Sequence, residues 1–86
     1  MSNIKFYKLV TGEKIIGELV ITTNTIVVLK NVAWVGYTYY SNDPKQHDNV
    51  TKIITGEVEL YVNNILYSSE VEPNLLKVYN KFCNSQ

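Results

Sequence analysis

His47 is the only histidine of the chain, and it lies between Asp43 and Asp48 in the polar run "SNDPKQHDN" (41–49). An imidazole and two carboxylates can hold a divalent cation, but only if they converge in one pocket with ligand geometry. A solvated loop with incidental charges is the simpler reading, because mobile loops seldom hold ligands in place. Cys83 is the one cysteine, so neither an intramolecular disulfide nor a cysteine metal cluster can form. It falls on an apolar helical stripe, which fits a buried thiol better than a nucleophile paired with His47. Glu57 and Glu59 alternate along a strand and share a face; that spacing suits acid–base work and, more commonly, a solvated outer surface. No catalytic, metal or cofactor site is therefore expected, and the chain is not read as an enzyme.

Trp34, Tyr37, Tyr39 and Tyr40 form the densest aromatic group. Exposed rings of this kind can stack the bases of a single-stranded nucleic acid. Only Lys30 and Lys45 flank the group, so the electrostatic half of such a platform is thin. Packing in the core or in a subunit interface accounts for the rings more simply.

β-branched and aromatic residues dominate from residue 4 to residue 71, with turn residues between the runs. "IKFYKLV" (4–10) reads as a first strand and "TGE" (11–13) as its turn. In "KIIGELVIT" (14–22), alternation places Ile15, Gly17, Leu19 and Ile21 on the buried face and Lys14, Ile16, Glu18 and Val20 on the other. "TTNT" (22–25) is a short polar turn. "IVVLKNVAWVGYTYY" (26–40) is too long for one flat strand, and Gly36 marks a place where it can bend. Residues 41–49, with Pro44, read as the one long loop. "TKIITGEVELYV" (51–62) resumes the strand pattern, "NN" (63–64) suits a two-residue hairpin turn, and "ILYSSEV" (65–71) is the last strand.

The period then changes. Leu75, Leu76, Tyr79, Phe82 and Cys83 fall at i, i+1, i+4, i+7 and i+8, one apolar stripe of a helix over about 73–83. Pro73 suits its first turn, and Lys77 and Lys81 lie in the half where the helix dipole favours cations. This helix is expected to cover the open end of a small barrel or to dock on its edge. Five strands and one helix in a single domain spanning 1–86 are expected.

The 86 residues make one small domain, short of the size at which a core is ample. Oligomerisation is the expected supplement. Eight lysines balance eight acidic residues, and arginine is absent, which counts against strong non-specific nucleic-acid binding. The ten asparagines, seven tyrosines and many isoleucines point to an AT-rich coding sequence, in which lysine replaces arginine through codon supply. The opening "MSNIKFYK" carries no basic region followed by an apolar run, and no stretch approaches a membrane span of about 20 residues. The expectation is a soluble, cytoplasmic protein without membrane contact.

A strand with a central glycine, a turn and a long apolar strand resembles the first motif of the Sm and Sm-like family. Gly12 matches its turn glycine, "GEL" (17–19) its G-x-L, and "TIVVL" (25–29) the strand after its turn. The second motif would fall on "LYVNNILY" (60–67). "KLVTGEKIIGELV" together with "EVEPNLLKVYNKF" is similar to small Sm-like proteins of tailed phages that infect marine cyanobacteria. The resemblance implies an all-β fold, a strongly bent five-stranded antiparallel barrel, which closes rings by pairing subunit edges. It implies pore-facing turns that bind RNA, here Thr23, Asn24, Asn63 and Asn64.

The chain also departs from the family pattern. Thr23 stands near the family's Asp, Asn24 is the one counterpart of its Asn, and Asn63 and Asn64 replace its Arg-Gly. Sm proteins begin with a helix, whereas three residues precede the first strand here, so the C-terminal helix would take over its covering role. Two functions follow: a homo-oligomeric ring that binds RNA, and a ring acting as a structural or protein-interaction module, such as a phage-encoded adaptor.

Overall fold

The computed structural model describes residues 3–40 and 43–84, with side chains described apart from those of 37–40, 43–49, 51–53 and 55. Five strands, β1 (Ile4–Leu9), β2 (Lys14–Thr22), β3 (Ile26–Tyr40), β4 (Asp43–Tyr61) and β5 (Ile65–Glu70), precede one helix, α1 (Pro73–Asn84). They form one antiparallel sheet in the order β4-β3-β2-β1-β5. β4 and β5 therefore lie at opposite edges, yet only the 3-10 turn Val62–Asn64 joins them. In a flat sheet those edges would stand about 19 Å apart, while a short 3-10 segment advances only about 2 Å per residue. The sheet must roll up, and the result is a small barrel-like fold.

The curl is made where three strands break register side by side. Between β2 and β3, pairing passes from Ile16↔Ala33 to Glu18↔Lys30; between β3 and β4, it passes from Lys30↔Glu57 to Val32↔Ile54. Gly17, Asn31 and Gly56 occupy these breaks, with Asn31 at φ 53° and Gly56 at φ 86°. Gly17 is buried against β3, where an added Cβ would lie 3.1 Å from Leu29 Cβ and 3.2 Å from Val32 Cγ2. A glycine at this point lets the neighbouring strand come close.

Each bulge also flips the parity of its strand. Val27 and Leu29 face the barrel interior, and beyond Asn31 it is Val32 and Trp34 that face it. Tyr7, Ile15, Val27, Leu29 and Val32 form that interior core, with Val58 and Leu60 of β4 packed against it. A second core lies on the outer face, where Ile16, Ala33 and Val50 meet Leu75 and Tyr79 of α1. The Tyr79 hydroxyl donates a 2.7 Å hydrogen bond to the Asn31 carbonyl, which ties the helix to the bulge of β3.

Several expectations are corrected. The helix covers a face of the sheet rather than the barrel end or edge, which is why Ile16 is fully buried although the alternation placed it outside. Ile21, expected inside, is 54 % exposed. The pairing shift between Leu19↔Leu29 and Ile21↔Val28 leaves Val20 as an extra residue and turns Ile21 outward. β3 bends at Asn31, not Gly36; Gly36 pairs in register with Asn49. Residues 43–49 are strand rather than loop, because β3 and β4 continue as a two-stranded ribbon as far as Tyr40↔Asp43. Asn63 and Asn64 end a 3-10 turn between opposite edges instead of a hairpin. Among the described residues no helix is long and apolar enough to cross a membrane.

Candidate functional site

The β2–β3 turn is held by its own side chains. The Thr23 hydroxyl oxygen accepts hydrogen bonds from the backbone N–H of Thr25 (3.2 Å) and Ile26 (3.1 Å), while Thr23 N–H donates to the Ile26 carbonyl at 2.9 Å. Threonine favours this arrangement because its short hydroxyl satisfies backbone donors two and three residues on. The 3-10 turn is then fastened to two neighbours. Val62 N–H donates to the Thr25 carbonyl, and Val10 N–H donates to the Asn64 carbonyl, both at 2.9 Å.

These backbone bonds bring Asn24 and Thr25 beside Asn63 and Asn64, and Tyr61 closes the wall of a cleft of about 460 Å³. Three of the four residues singled out in the sequence, Asn24, Asn63 and Asn64, therefore share one site. Thr23 is not among its lining residues; it opens on an adjacent cleft and serves here as the brace of the turn. Sequence reasoning missed Tyr61, which is 67 % exposed. The available signal was an aromatic residue two positions before Asn63, at the end of the alternating run.

The five lining residues are uncharged. Each asparagine carboxamide offers two N–H donors and a carbonyl acceptor, a set that can match the polar edges of a nucleobase. The exposed Tyr61 ring offers a flat face for stacking. The lining contains no Ser, Cys, His, Lys, Asp or Glu.

The other candidates do not converge on this place. Cys83 is half-buried in the helix-side core. Glu57 and Glu59 are exposed on β4, opposite Lys30 and Val28. Trp34 is half-buried against the interior core, as its packing reading requires. Tyr37, Tyr39, Tyr40, Asp43, His47 and Asp48 have side chains outside the described residues; the backbone pairs Tyr37 with Asp48 and Thr38 with His47. No group of three His, Cys, Asp or Glu that could hold a metal occurs among the described residues. Among the described residues the strongest perturbation of an ionisable group is at Tyr79. Burial, then the Cys83 thiol and the Glu18 carboxylate, push its phenol above the ordinary 10.0. That group locks the helix and lies away from the cleft.

No protein-family model matches the chain, and no curated protein is similar to it in sequence.

Proposed function

We propose that the chain is an Sm-like, ring-forming module that binds single-stranded nucleic acid, RNA in particular, through the cleft of Asn24, Thr25, Tyr61, Asn63 and Asn64. The observation that carries this reading is the convergence of two turns, distant in sequence, on one cleft bearing a 67 % exposed tyrosine. A base stacked on Tyr61 would present its polar edge to the carboxamides, so recognition rests on stacking and hydrogen bonds rather than on charge. The Sm-like part is supported by the rolled five-stranded sheet, with Gly17 at its close approach to β3. The ring is supported by the two edges, because β4 and β5 each pair on one side only among the described residues. An unpaired edge is a template for another strand. The role is one of binding without catalysis, metal or cofactor, in the cytoplasm, or in the host cytoplasm if the gene is carried by a phage.

A second reading, a structural or protein-interaction ring without RNA binding, draws on the neutral lining of the cleft and the net charge of zero. Titration of short uridine-rich and adenine-rich RNAs at low and moderate salt separates the two. The expected result is binding that Tyr61→Ala weakens roughly 5- to 150-fold, the worth of one stacked base. It should fall little with salt, since no cation lines the cleft. Absence of binding even at low salt would reject the RNA reading and leave the structural ring.

A further inference from the structure

We propose that Lys8, Lys14 and Tyr67 form a second contact surface for the single strand held in the asparagine cleft: the lysines receive its phosphates and the tyrosine stacks a further base. The inference rests on the RNA reading above and extends it to a face of the sheet outside the cleft.

Lys8 of β1 stands directly opposite Lys14 of β2 and, on its other side, Tyr67 of β5. The three share the outer face. Phe6 and Ile16, two residues from Lys8 and from Lys14 along their strands, pack into the helix-side core, and side chains two apart on a strand point the same way. The Tyr67 ring centroid lies 6.2 Å from that of Phe6, and the residue is 50 % exposed. Both lysines are half-buried; long lysine stems cover apolar surface while the ammonium stays in water.

The charge pattern of the sheet singles this row out. Lys5 stands opposite Glu70, Glu18 opposite Lys30, and Lys30 also opposite Glu57. Each of these pairs joins opposite charges. Among the described residues Lys8↔Lys14 is the one cross-strand pair of like charge, in a chain whose net charge is zero. Directly opposed like charges cost stability, and an anion shared by the two ammonium groups offsets that cost. A phosphodiester is the anion that a strand in the cleft brings with it.

Position connects the row to the cleft. β1 leads from Lys8 to Val10, whose N–H donates to the carbonyl of Asn64 in the cleft wall. Two residues of strand span about 7 Å, so a chain leaving the asparagines meets the lysines within its next nucleotides. An aromatic face beside a positive track holds single strands without reading their sequence.

The test measures fluorescence anisotropy of a labelled trinucleotide, confined to the cleft, and a labelled octanucleotide of adenine and uracil, between about 50 and 200 mM salt. Two phosphate contacts give a logarithmic slope of about −1.4, so octanucleotide affinity should fall roughly sevenfold over that range while trinucleotide affinity barely changes. Lys8→Gln with Lys14→Gln should remove the fall and leave the trinucleotide unaffected. That double variant should melt no lower than the parent, because it relieves a repulsion. Tyr67→Ala should weaken the octanucleotide roughly 5-fold or more and spare the trinucleotide. Identical octanucleotide affinity and salt slope in parent and double variant overturn the inference; a trinucleotide that still binds, and that Tyr61→Ala weakens, then keeps the cleft reading without it. Octanucleotide binding that depends on the lysines but not on Tyr61 supports this surface and removes the cleft. Binding of neither length overturns both. If the double variant fails to fold, Lys8→Gln alone decides: the slope should halve, and an unchanged slope overturns the proposal.

Discussion

Gly17→Ala is the substitution whose effect the packing determines most directly. A Cβ at this position would stand 3.1 Å from Leu29 Cβ, 3.2 Å from Val32 Cγ2 and 3.3 Å from Leu29 Cδ1. Carbon atoms in ordinary contact lie about 3.5–4.0 Å apart, so three atoms of two residues, Leu29 and Val32, must yield a few tenths of an ångström. Both Leu29 and Val32 are core residues with almost no exposure, and β3 is flanked by strands on both sides. Overpacking of this kind costs about 1–3 kcal/mol. The reduced freedom of the unfolded chain returns about 0.4–1 kcal/mol. The mid-range values leave a net loss of about 1.3 kcal/mol, or a fall in Tm of roughly 5–10 °C for a domain of this size. Thermal unfolding followed by circular dichroism at one fixed protein concentration measures it, since association would otherwise shift the midpoint. In a Val32→Ala background the 3.2 Å contact disappears, and the same substitution should cost at least about 0.5 kcal/mol less. A Gly17→Ala protein as stable as the parent, or an equal cost in both backgrounds, would refute the close-approach argument.

Three further outcomes are expected, at Tyr79 and Thr23. The Tyr79 phenol is held above 10.0 in the folded chain, so the neutral form is favoured by folding. Its contribution is complete below about pH 10 and is lost as pH rises beyond that towards the folded value. Alkaline titration of stability should therefore show a decline starting near pH 10 that is smaller in Tyr79→Phe. At neutral pH that variant should lose about 1–3 kcal/mol in chemical denaturation, because the Asn31 carbonyl loses its 2.7 Å bond. Thr23→Val removes the oxygen that accepts from Thr25 and Ile26. It should lower stability by about 1 kcal/mol and loosen the asparagine cleft, whereas Thr23→Ser retains both; amide exchange at Thr25 and Ile26 distinguishes them.

The local period of the chain was enough to place five strands, the turns after β1 and β2, and one helix. The helix extends over Pro73–Asn84, and its stripe buries Leu75 and Tyr79 as the spacing required. Alternation and helical stripes depend only on neighbours along the chain, so one sequence carries them. Asn24, Asn63 and Asn64 were also legible as polar turn residues, because asparagine is a turn former wherever it interrupts alternating apolar runs. Three things depended on strand partners instead. Bulges at Val20, Asn31 and Gly56 changed which side chains face the interior, and a bulge is a relation between two strands that neither shows alone. The ribbon through residues 43–49 exists because β3 offers it a pairing edge, despite the polar composition and Pro44. The site itself was assembled by the roll of the sheet. Only when β4 and β5 are brought to one 3-10 turn, and Val62 is bonded to Thr25, does Tyr61 meet the asparagines. Sequence supplied the polar turns and the glycine that permits the bend; tertiary closure decided that the turns form one cleft, because it sets distances between segments that local periodicity leaves free.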